Sequence, residues 1–251
     1  MYRSISTRAI VIRRERLGEF HKSLILLTSD LGLISATAYG AYKMHSALRL
    51  GSEPFTASRA LLYHNPVKNT YKVMELEIVE SFSGLQADLS RITAASLWAE
   101  VVQKSYGAGE TSDTLFQLLV EGLRMLQDGD ARLEPYLTIQ FLWRFLTLAG
   151  YLPDLERCDR CSIRFEPSAR AFYVPSLTAV MCEPCGGDRG FLLPAGGLRY
   201  LLASRESSFR DASQIRLEAA SLRALRDVLP RMVQGILEGE LKSLPPLGTR
   251  A

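Results

Sequence analysis

The sequence is poor in the residues that most often build active sites. It contains four cysteines and three histidines among 251 residues. A phosphate-binding G-x-x-x-x-G-K-[ST] loop is missing, because "GAGETSD" at 107–113 lacks the lysine, and no G-x-G-x-x-G opens a helix after a strand. We therefore expect no enzyme and no small-molecule substrate. A hydrolase with an unrecognised site would need a polar cluster that three histidines do not supply.

Long apolar runs are also scarce. The N-terminal "MYRSISTRAIVIRRERLGEF" has an apolar run of only four residues before charges return, which is not a secretory signal. The longest apolar stretch, "YLTIQFLWRFLTLAGYL", is broken by Gln140 and Arg144 and predicts a core helix instead of a membrane span. We expect a cytoplasmic protein without a membrane partner, whose thiols stay reduced.

All four cysteines lie in two C-x-x-C pairs within 158–185, "CDRCSIRFEPSARAFYVPSLTAVMCEPC". This spacing predicts one structural zinc ion held by Cys158, Cys161, Cys182 and Cys185, since four thiolates leave no open position for chemistry. The two short strands predicted between the pairs, "AFYV" and "TAVM", make this a zinc ribbon. The glycine after the second pair is expected to turn the backbone at positive φ. Two disulfides and four buried free cysteines are the alternatives.

Charge is unevenly distributed along the chain. Residues 1–72 have a net charge of +7, residues 73–157 of −7 and residues 158–251 of +3. A basic front end indicates a polyanion partner for that part. Ordinary solvated surface charge is the alternative explanation.

The hydrophobic period changes once along the chain. Five short strand-like segments fill the first eighty residues, and the last, 71–80, should place Met74, Leu76 and Ile78 on one face. Such a series suits a five-stranded oligonucleotide-binding (OB) barrel, although an SH3-like barrel gives a similar pattern. Helical periods follow from Gly84, with a central buried helix near 134–150 and a last helix kinked or divided at Pro230.

The predicted fold class is therefore α+β: an N-terminal five-stranded OB-type barrel, then an all-helical domain with an inserted four-cysteine zinc ribbon. The expected divisions are the barrel at 1–81, the first helical part at 82–157, the ribbon at 158–190 and the helical close at 191–251.

This order of parts resembles the RecO family of bacterial DNA repair proteins. The resemblance is detailed in "LGEFHKSLILLTSDLGLISATAYGAYK" (17–43) and extends to "SALRLGSEPF" (46–55). It covers nearly the whole chain, and the helices match mainly by placement. The family often has two glycines before the third cysteine, whereas this chain has "TAVM" there and "GG" after the fourth. That departure concerns the hairpin turn and leaves the ligands unaffected.

The resemblance implies a non-enzymatic recombination mediator of the RecF pathway, cytoplasmic and associated with the nucleoid. Such proteins bind single- and double-stranded DNA, anneal complementary strands and, with RecR, help RecA load on DNA coated by single-strand binding protein (SSB). Basic side chains of the barrel would follow phosphates, and Tyr39, Tyr42 and Tyr63 are candidates for base stacking. The basic candidates are Arg13, Arg14, Arg16, Lys43, Arg49, Arg59, Lys68 and Lys72.

The acidic and apolar SSB tail would need an apolar groove with a basic rim. The late helices combine leucines with arginines, so a tail site is expected there, against the alternative that these arginines only solvate amphipathic helices. The candidates are Arg199, Arg205, Arg216, Arg223, Arg226 and Arg231. The rival function, from another class, is a zinc-ribbon scaffold of transcription or translation that binds protein partners only.

Overall fold

The computed structural model describes residues 4–105, 112–237 and 240–244. The chain divides into two compact units, and neither unit is continuous in sequence. The first unit comprises Met1–Ala95 and Ser105–Gln127, and the second comprises Ser96–Lys104 and Asp128–Ala251. The domain divisions expected at residues 81, 157 and 190 follow a different criterion and stay a prediction.

The first unit is built on a closed five-stranded barrel. Its strands are β1 (Ser4–Leu17), β2 (His21–Thr28), β3 (Gly32–Ala38), β4 (Thr56–Asn65) and β5 (Thr70–Ser81). They are ordered β1-β2-β3-β5-β4, and pairing of β1 with β4 closes the barrel. The β3–β5 pair is parallel and the other pairs are antiparallel. A closed barrel of five strands with this crossover is of the OB type, which confirms the predicted fold class.

Alternate residues of the strands fill the barrel, as the strand period of two requires. On β2 the inward positions are Lys22, Leu24 and Leu26, and on β3 they include Ile34 and Ala36. Four of these five side chains belong to one apolar cluster inside the barrel. Lys22 is the exception, because it brings an ammonium group to a position that alternation reserves for the core.

The predicted face of β5 is wrong. Leu76 is buried as expected, but Met74 and Ile78 are exposed and Val73 is buried in their place. An irregularity in the pairing with β4 leaves Met74 as an extra residue on β5, which explains why Val73 and not Met74 is buried; a second extra residue, Val79, follows Ile78 near the end of the strand. Each extra residue shifts the side-chain alternation by one position.

The first unit also contains a short helix and all but the last residue of a longer one, and a 3₁₀ turn at Ser83–Ala87 follows the barrel. The short α1 (Leu48–Gly51) lies in the connection between β3 and β4. The helix α2 (Leu89–Lys104) is divided between the two units, and its last nine residues fall in the second unit. The longer α3 (Ser112–Asp128) attaches to the barrel through Arg124, whose guanidinium donates two hydrogen bonds to the carboxylate of Glu80.

Helices dominate the second unit. They are α4 (Glu134–Leu148), α5 (Glu183–Gly186), α6 (Ala195–Ala203), α7 (Phe209–Gln214) and α8 (Ala219–Ile236). As predicted, α4 is buried on most of its surface, and the ring of Phe141 stacks on Trp98 with centroids 4.6 Å apart. The last helix is not divided: α8 continues through Pro230, which is buried in its middle. Among the described helices, none is long and apolar enough to cross a bilayer.

The cysteine-containing insertion forms a three-stranded sheet. Its strands are β6 (Ala171–Val174), β7 (Ala179–Cys182) and β8 (Phe191–Leu193), in the order β7-β6-β8. The two strands expected from sequence are present. The third strand, β8, was not predicted, because a strand of three residues is too short to show an alternating pattern. A small core of Cys158, Val174, Ala179 and Met181 holds this ribbon together.

Candidate metal centre and nucleic-acid interface

The two C-x-x-C pairs meet in space. The sulfur atoms of Cys158, Cys161, Cys182 and Cys185 all lie within 4.8 Å of one another. Cys161 Sγ and Cys182 Sγ are 3.7 Å apart. In a tetrahedral zinc site with Zn–S distances of about 2.3 Å, neighbouring sulfurs would be about 3.8 Å apart. The four sulfur donors therefore fit a metal ion that prefers thiolate ligands in tetrahedral coordination, and the four cysteines could hold one.

The first pair is shaped by a tight turn. The amide of Cys158 donates to the carbonyl oxygen of Ile163 at 2.9 Å, and the amide of Ser162 donates to the carbonyl oxygen of Cys158 at 2.8 Å. Ser162 adopts a left-handed backbone with φ of 58°. The carboxylate of Asp159 accepts from the amide of Val180 at 2.6 Å and so ties this turn to β7.

The second pair uses its glycine differently from the prediction. Gly186 does not have positive φ; it ends the one-turn helix α5 and is buried. An added Cβ at Gly186 would lie 2.9 Å from Cβ of Met181 and 3.1 Å from Cγ2 of Val174. Glycine is therefore needed here for the close approach of α5 to the sheet, whereas the left-handed turn occurs at Ser162 in the other pair.

The thiol environment favours a cation. Burial acts to raise the pKa of Cys158, but backbone amides of Cys182, Cys161 and Arg160 outweigh it and lower that pKa to about 6. The adjacent Cys182 raises the pKa of Cys185 to about 12. Four crowded thiols cannot all ionise without a balancing charge, and a bound dication would supply that charge.

A second cluster lies at one end of the barrel and combines exposed aromatic rings with cations. Tyr39 and Phe20 are 52% and 48% exposed. Lys72 Nζ lies 5.3 Å from the ring centroid of Tyr39, and Lys43 Nζ lies 6.0 Å from that of Phe20. The ring of His21 meets Tyr39 edge-on at 4.9 Å.

Tyr42 continues this cluster towards β1. Its hydroxyl accepts a hydrogen bond from Arg14 at 2.9 Å, and the guanidinium of Arg16 lies 5.5 Å from its ring centroid. Its amide donates to the carbonyl oxygen of Phe20 at 3.0 Å, which joins the two groups of rings. We call this contiguous surface the barrel-end platform; its members are Arg14, Arg16, Phe20, His21, Tyr39, Tyr42, Lys43 and Lys72.

The remaining basic candidates of the barrel are placed elsewhere or are paired. Arg59 pairs with Glu77 across β4 and β5 at 3.1 Å, and Arg13 pairs with the neighbouring Glu15 at 2.6 Å. Arg49 is exposed on α1, and Lys68 is exposed in the β4–β5 turn. Of the three tyrosines singled out from sequence, Tyr63 is half-buried on β4 and is not a member of the platform.

Sequence reasoning missed Phe20 and His21. Both belong to the β1–β2 hairpin "LGEFH", where Gly18 turns at φ of 63°. An aromatic residue two positions after a hairpin glycine in a basic barrel is the signal that could have indicated Phe20. Tyr39 and Lys72 come together because β3 and β5 are parallel neighbours, which alternation alone does not reveal.

The late arginines do not form one set. Arg199, Arg205, Arg216, Arg223 and Arg226 are exposed. Arg231 differs, since it is only 8% exposed, and its guanidinium packs 3.9 Å from the ring centroid of Phe191. It also donates to the carbonyl oxygen of Asp227 at 2.6 Å, so it is a structural residue of the second unit.

One cavity of the second unit contains an arginine from this set. It measures about 280 Å³ and is lined chiefly by apolar side chains. Arg164 and Arg199 line it, together with the carboxylates of Glu156 and Glu166; its apolar lining includes Leu155, Phe165, Leu198 and Leu202.

Comparison with known proteins accounts for both units. Residues 1–82 match the family model "Recombination protein O N terminal", and residues 86–245 match "Recombination protein O C terminal". The chain belongs to the RecO family of DNA repair proteins. It is 38% identical to the DNA repair protein RecO of Pelotomaculum thermopropionicum over 177 residues, which cover 70% of this chain and 66% of that relative. It is 32% identical to the RecO protein of Heliobacterium modesticaldum over 241 residues, covering 94% and 86%, and 29% identical to that of Desulfosudis oleivorans over 251 residues, covering 96% of each.

Family membership confirms the resemblance found from sequence and places the chain in DNA repair.

Proposed function

We propose that the barrel-end platform binds single- and double-stranded DNA without sequence preference. The observation that carries the proposal is the pairing of half-exposed rings with cations, Tyr39 with Lys72 and Phe20 with Lys43. Lysine and arginine neutralise phosphates and release counterions, while aromatic faces stack bases of any identity. Arg14 and Arg16 extend the positive surface along β1.

The platform is tested by charge reversal against a matched pair. Lys43→Glu with Lys72→Glu removes both lysines of the platform, whereas Arg13→Glu with Arg59→Glu reverses the same charge at residues engaged by Glu15 and Glu77. The first pair should weaken binding about equally for unrelated sequences and flatten the salt dependence, by about 0.7 in log–log slope per lost contact with single strands. Equal losses from both pairs would mean that overall charge, and not this surface, carries the affinity.

The metal centre serves folding in this proposal. Cys158, Cys161, Cys182 and Cys185 would ligate one zinc ion, which supplies structural cohesion when bound and leaves no open position for catalysis. The support is the mutual distance of the sulfurs and the small core of the ribbon. Elemental analysis of freshly purified protein should find one zinc per chain, and disulfide-linked thiols without zinc would refute the assignment.

The wider role is that of a non-enzymatic mediator of the RecF pathway. In it the protein anneals complementary strands and, with RecR, helps RecA load on SSB-coated DNA. Support comes from family membership together with the platform, which could hold two strands without reading their bases. Acceleration of annealing of complementary oligonucleotides should fall in the Lys43→Glu, Lys72→Glu protein. Annealing that proceeds normally without the platform would contradict this role.

The SSB tail, acidic and apolar, is proposed to use the cavity beside Arg199. Its apolar walls and two arginines support this placement, although Glu156 and Glu166 oppose an acidic peptide. Arg164→Glu with Arg199→Glu should abolish binding of a tail peptide in calorimetry. Arg223→Glu with Arg226→Glu reverses the same charge on α8, and loss of binding there alone would move the site to that helix.

A scaffold that binds only proteins would show no salt-dependent DNA affinity at all.

A further inference from the structure

The apolar core of the barrel does not explain why Lys22 is buried there. Lys22 is 0% exposed, so it cannot contact a DNA phosphate. An ammonium group has three protons to donate, and burying it without partners is strongly unfavourable. Its placement therefore depends on the groups that receive those protons.

All three partners of Lys22 belong to one segment. Nζ donates to the carbonyl oxygen of Arg49 at 3.1 Å, to Oγ of Ser52 at 2.7 Å and to Oε1 of Glu53 at 2.9 Å. Nζ also lies 4.9 Å from the ring centroid of Tyr42. The ammonium group thus fixes both ends of segment 42–53, the connection that contains α1 between β3 and β4.

This segment carries one lysine of the barrel-end platform and, outside the platform, the exposed Arg49. Lys43 follows Tyr42 directly, and Arg49 lies on α1 beside the carbonyl group that Lys22 holds. The second carboxylate oxygen of Glu53 forms an ion pair with Nε of Arg14 at 2.9 Å, so the same carboxylate connects the buried lysine to an arginine of the platform. The contacts of Lys22 therefore extend to platform residues on both β1 and the β3–β4 connection.

We propose that Lys22 is a positioning residue for DNA binding: from inside the barrel it holds segment 42–53 so that Lys43 and Arg49 present their charges to the same phosphate backbone. This inference rests on the proposed DNA-binding function of the barrel. Its physical basis is pre-organisation, because side chains on a segment already held in place lose less conformational freedom on binding than those on a loose loop.

The test is a cycle of variants of the full chain in DNA titrations over a salt series. Lys22→Met keeps most of the buried stem and removes the ammonium group. It should weaken binding to single-stranded DNA and reduce the log–log salt slope by about 0.7 to 1.4, the equivalent of one or two contacts. Lys242→Met makes the same charge change at an exposed lysine of the second unit and should leave the slope unaltered.

The decisive comparison is made in the Lys43→Ala, Arg49→Ala background. There, Lys22→Met should have almost no further effect, because the contacts through which it acts are already gone. A purely structural role would lower the folded fraction and the apparent affinity at every salt concentration, with the slope unchanged and the losses additive. That result would overturn the proposal.

Two controls keep the outcome unambiguous. If Lys22→Met does not fold, Ser52→Ala removes one acceptor of the ammonium group and should show a smaller loss of slope in the same direction; a folded Ser52→Ala protein with an unchanged slope would overturn the proposal. If the Lys43→Ala, Arg49→Ala protein itself binds DNA normally, the DNA-binding role of this segment fails, which is a different failure from that of Lys22.

Discussion

The most informative perturbation of the platform removes its rings and leaves its charges. Phe20→Ala and Tyr39→Ala each delete a half-exposed ring beside a lysine. Base–aromatic stacking contributes about 1–3 kcal/mol per base, and about 1.4 kcal/mol is a factor of ten in affinity. Each variant should therefore bind single-stranded DNA about 5- to 150-fold more weakly, with little change in folding stability because the rings are only half-buried.

The salt dependence separates stacking from charge. Loss of a ring should shift the whole log–log salt plot downwards in parallel, whereas loss of Lys43 or Lys72 should reduce its slope. Fluorescence anisotropy with a labelled single strand measures both quantities. Tyr151→Ala is a matched control, because Tyr151 is also 52% exposed but belongs to the second unit. Affinity that is undiminished in both ring variants, or diminished equally in the control, would refute the stacking argument.

Three further predictions concern the second unit. Cys161→Ser should lose metal and lower the melting temperature while DNA affinity of the full chain stays nearly unchanged; full zinc content would contradict the ligand set. Gly186→Ala should destabilise the ribbon in thermal melts, since the new Cβ would lie 2.9 Å from Met181, and an unaltered melt would show that α5 can shift. Burial acts to raise the pKa of Glu100, but the amides of Lys242 and Ser243 with Lys104 lower it overall. The lowered pKa stabilises the fold above the unfolded value of about 4.3, and the stabilisation is lost as pH falls through the folded value, so Glu100→Gln should make the free energy of unfolding less sensitive to acid.

The parts predictable from sequence are those set by local pattern. Alternation and turn residues indicated the barrel, and the C-x-x-C spacing indicated which cysteines meet. The face of β5 was not predictable, because Met74 and Val79 are extra residues relative to β4, and only strand pairing reveals that. The platform joins residues from the ends of non-consecutive strands. The sequence indicated Tyr39 and Lys72 as separate candidates, but it did not predict that they lie next to each other.

The burial of two charged side chains was also not predictable from the sequence. Arg231 reads as one of several arginines on an amphipathic helix, yet it packs on Phe191 of the ribbon sheet. Lys22 occupies a core position of β2 although its residue type favours solvent. The three acceptors of Lys22 and the ring against which Arg231 packs are distant in sequence, and composition and period do not indicate them, although Arg231 also bonds to Asp227 on its own helix.

The central claim, that the barrel is a sequence-independent DNA platform, is tested most directly by one titration. The affinity of the full chain for two unrelated single-stranded oligonucleotides should be measured over a series of salt concentrations. We predict nearly equal affinities for the two sequences and a steep fall with salt, flattened when Lys43 and Lys72 are reversed to glutamate. Binding that is absent, that depends on sequence, or that keeps its salt slope in the reversed variant would contradict the account.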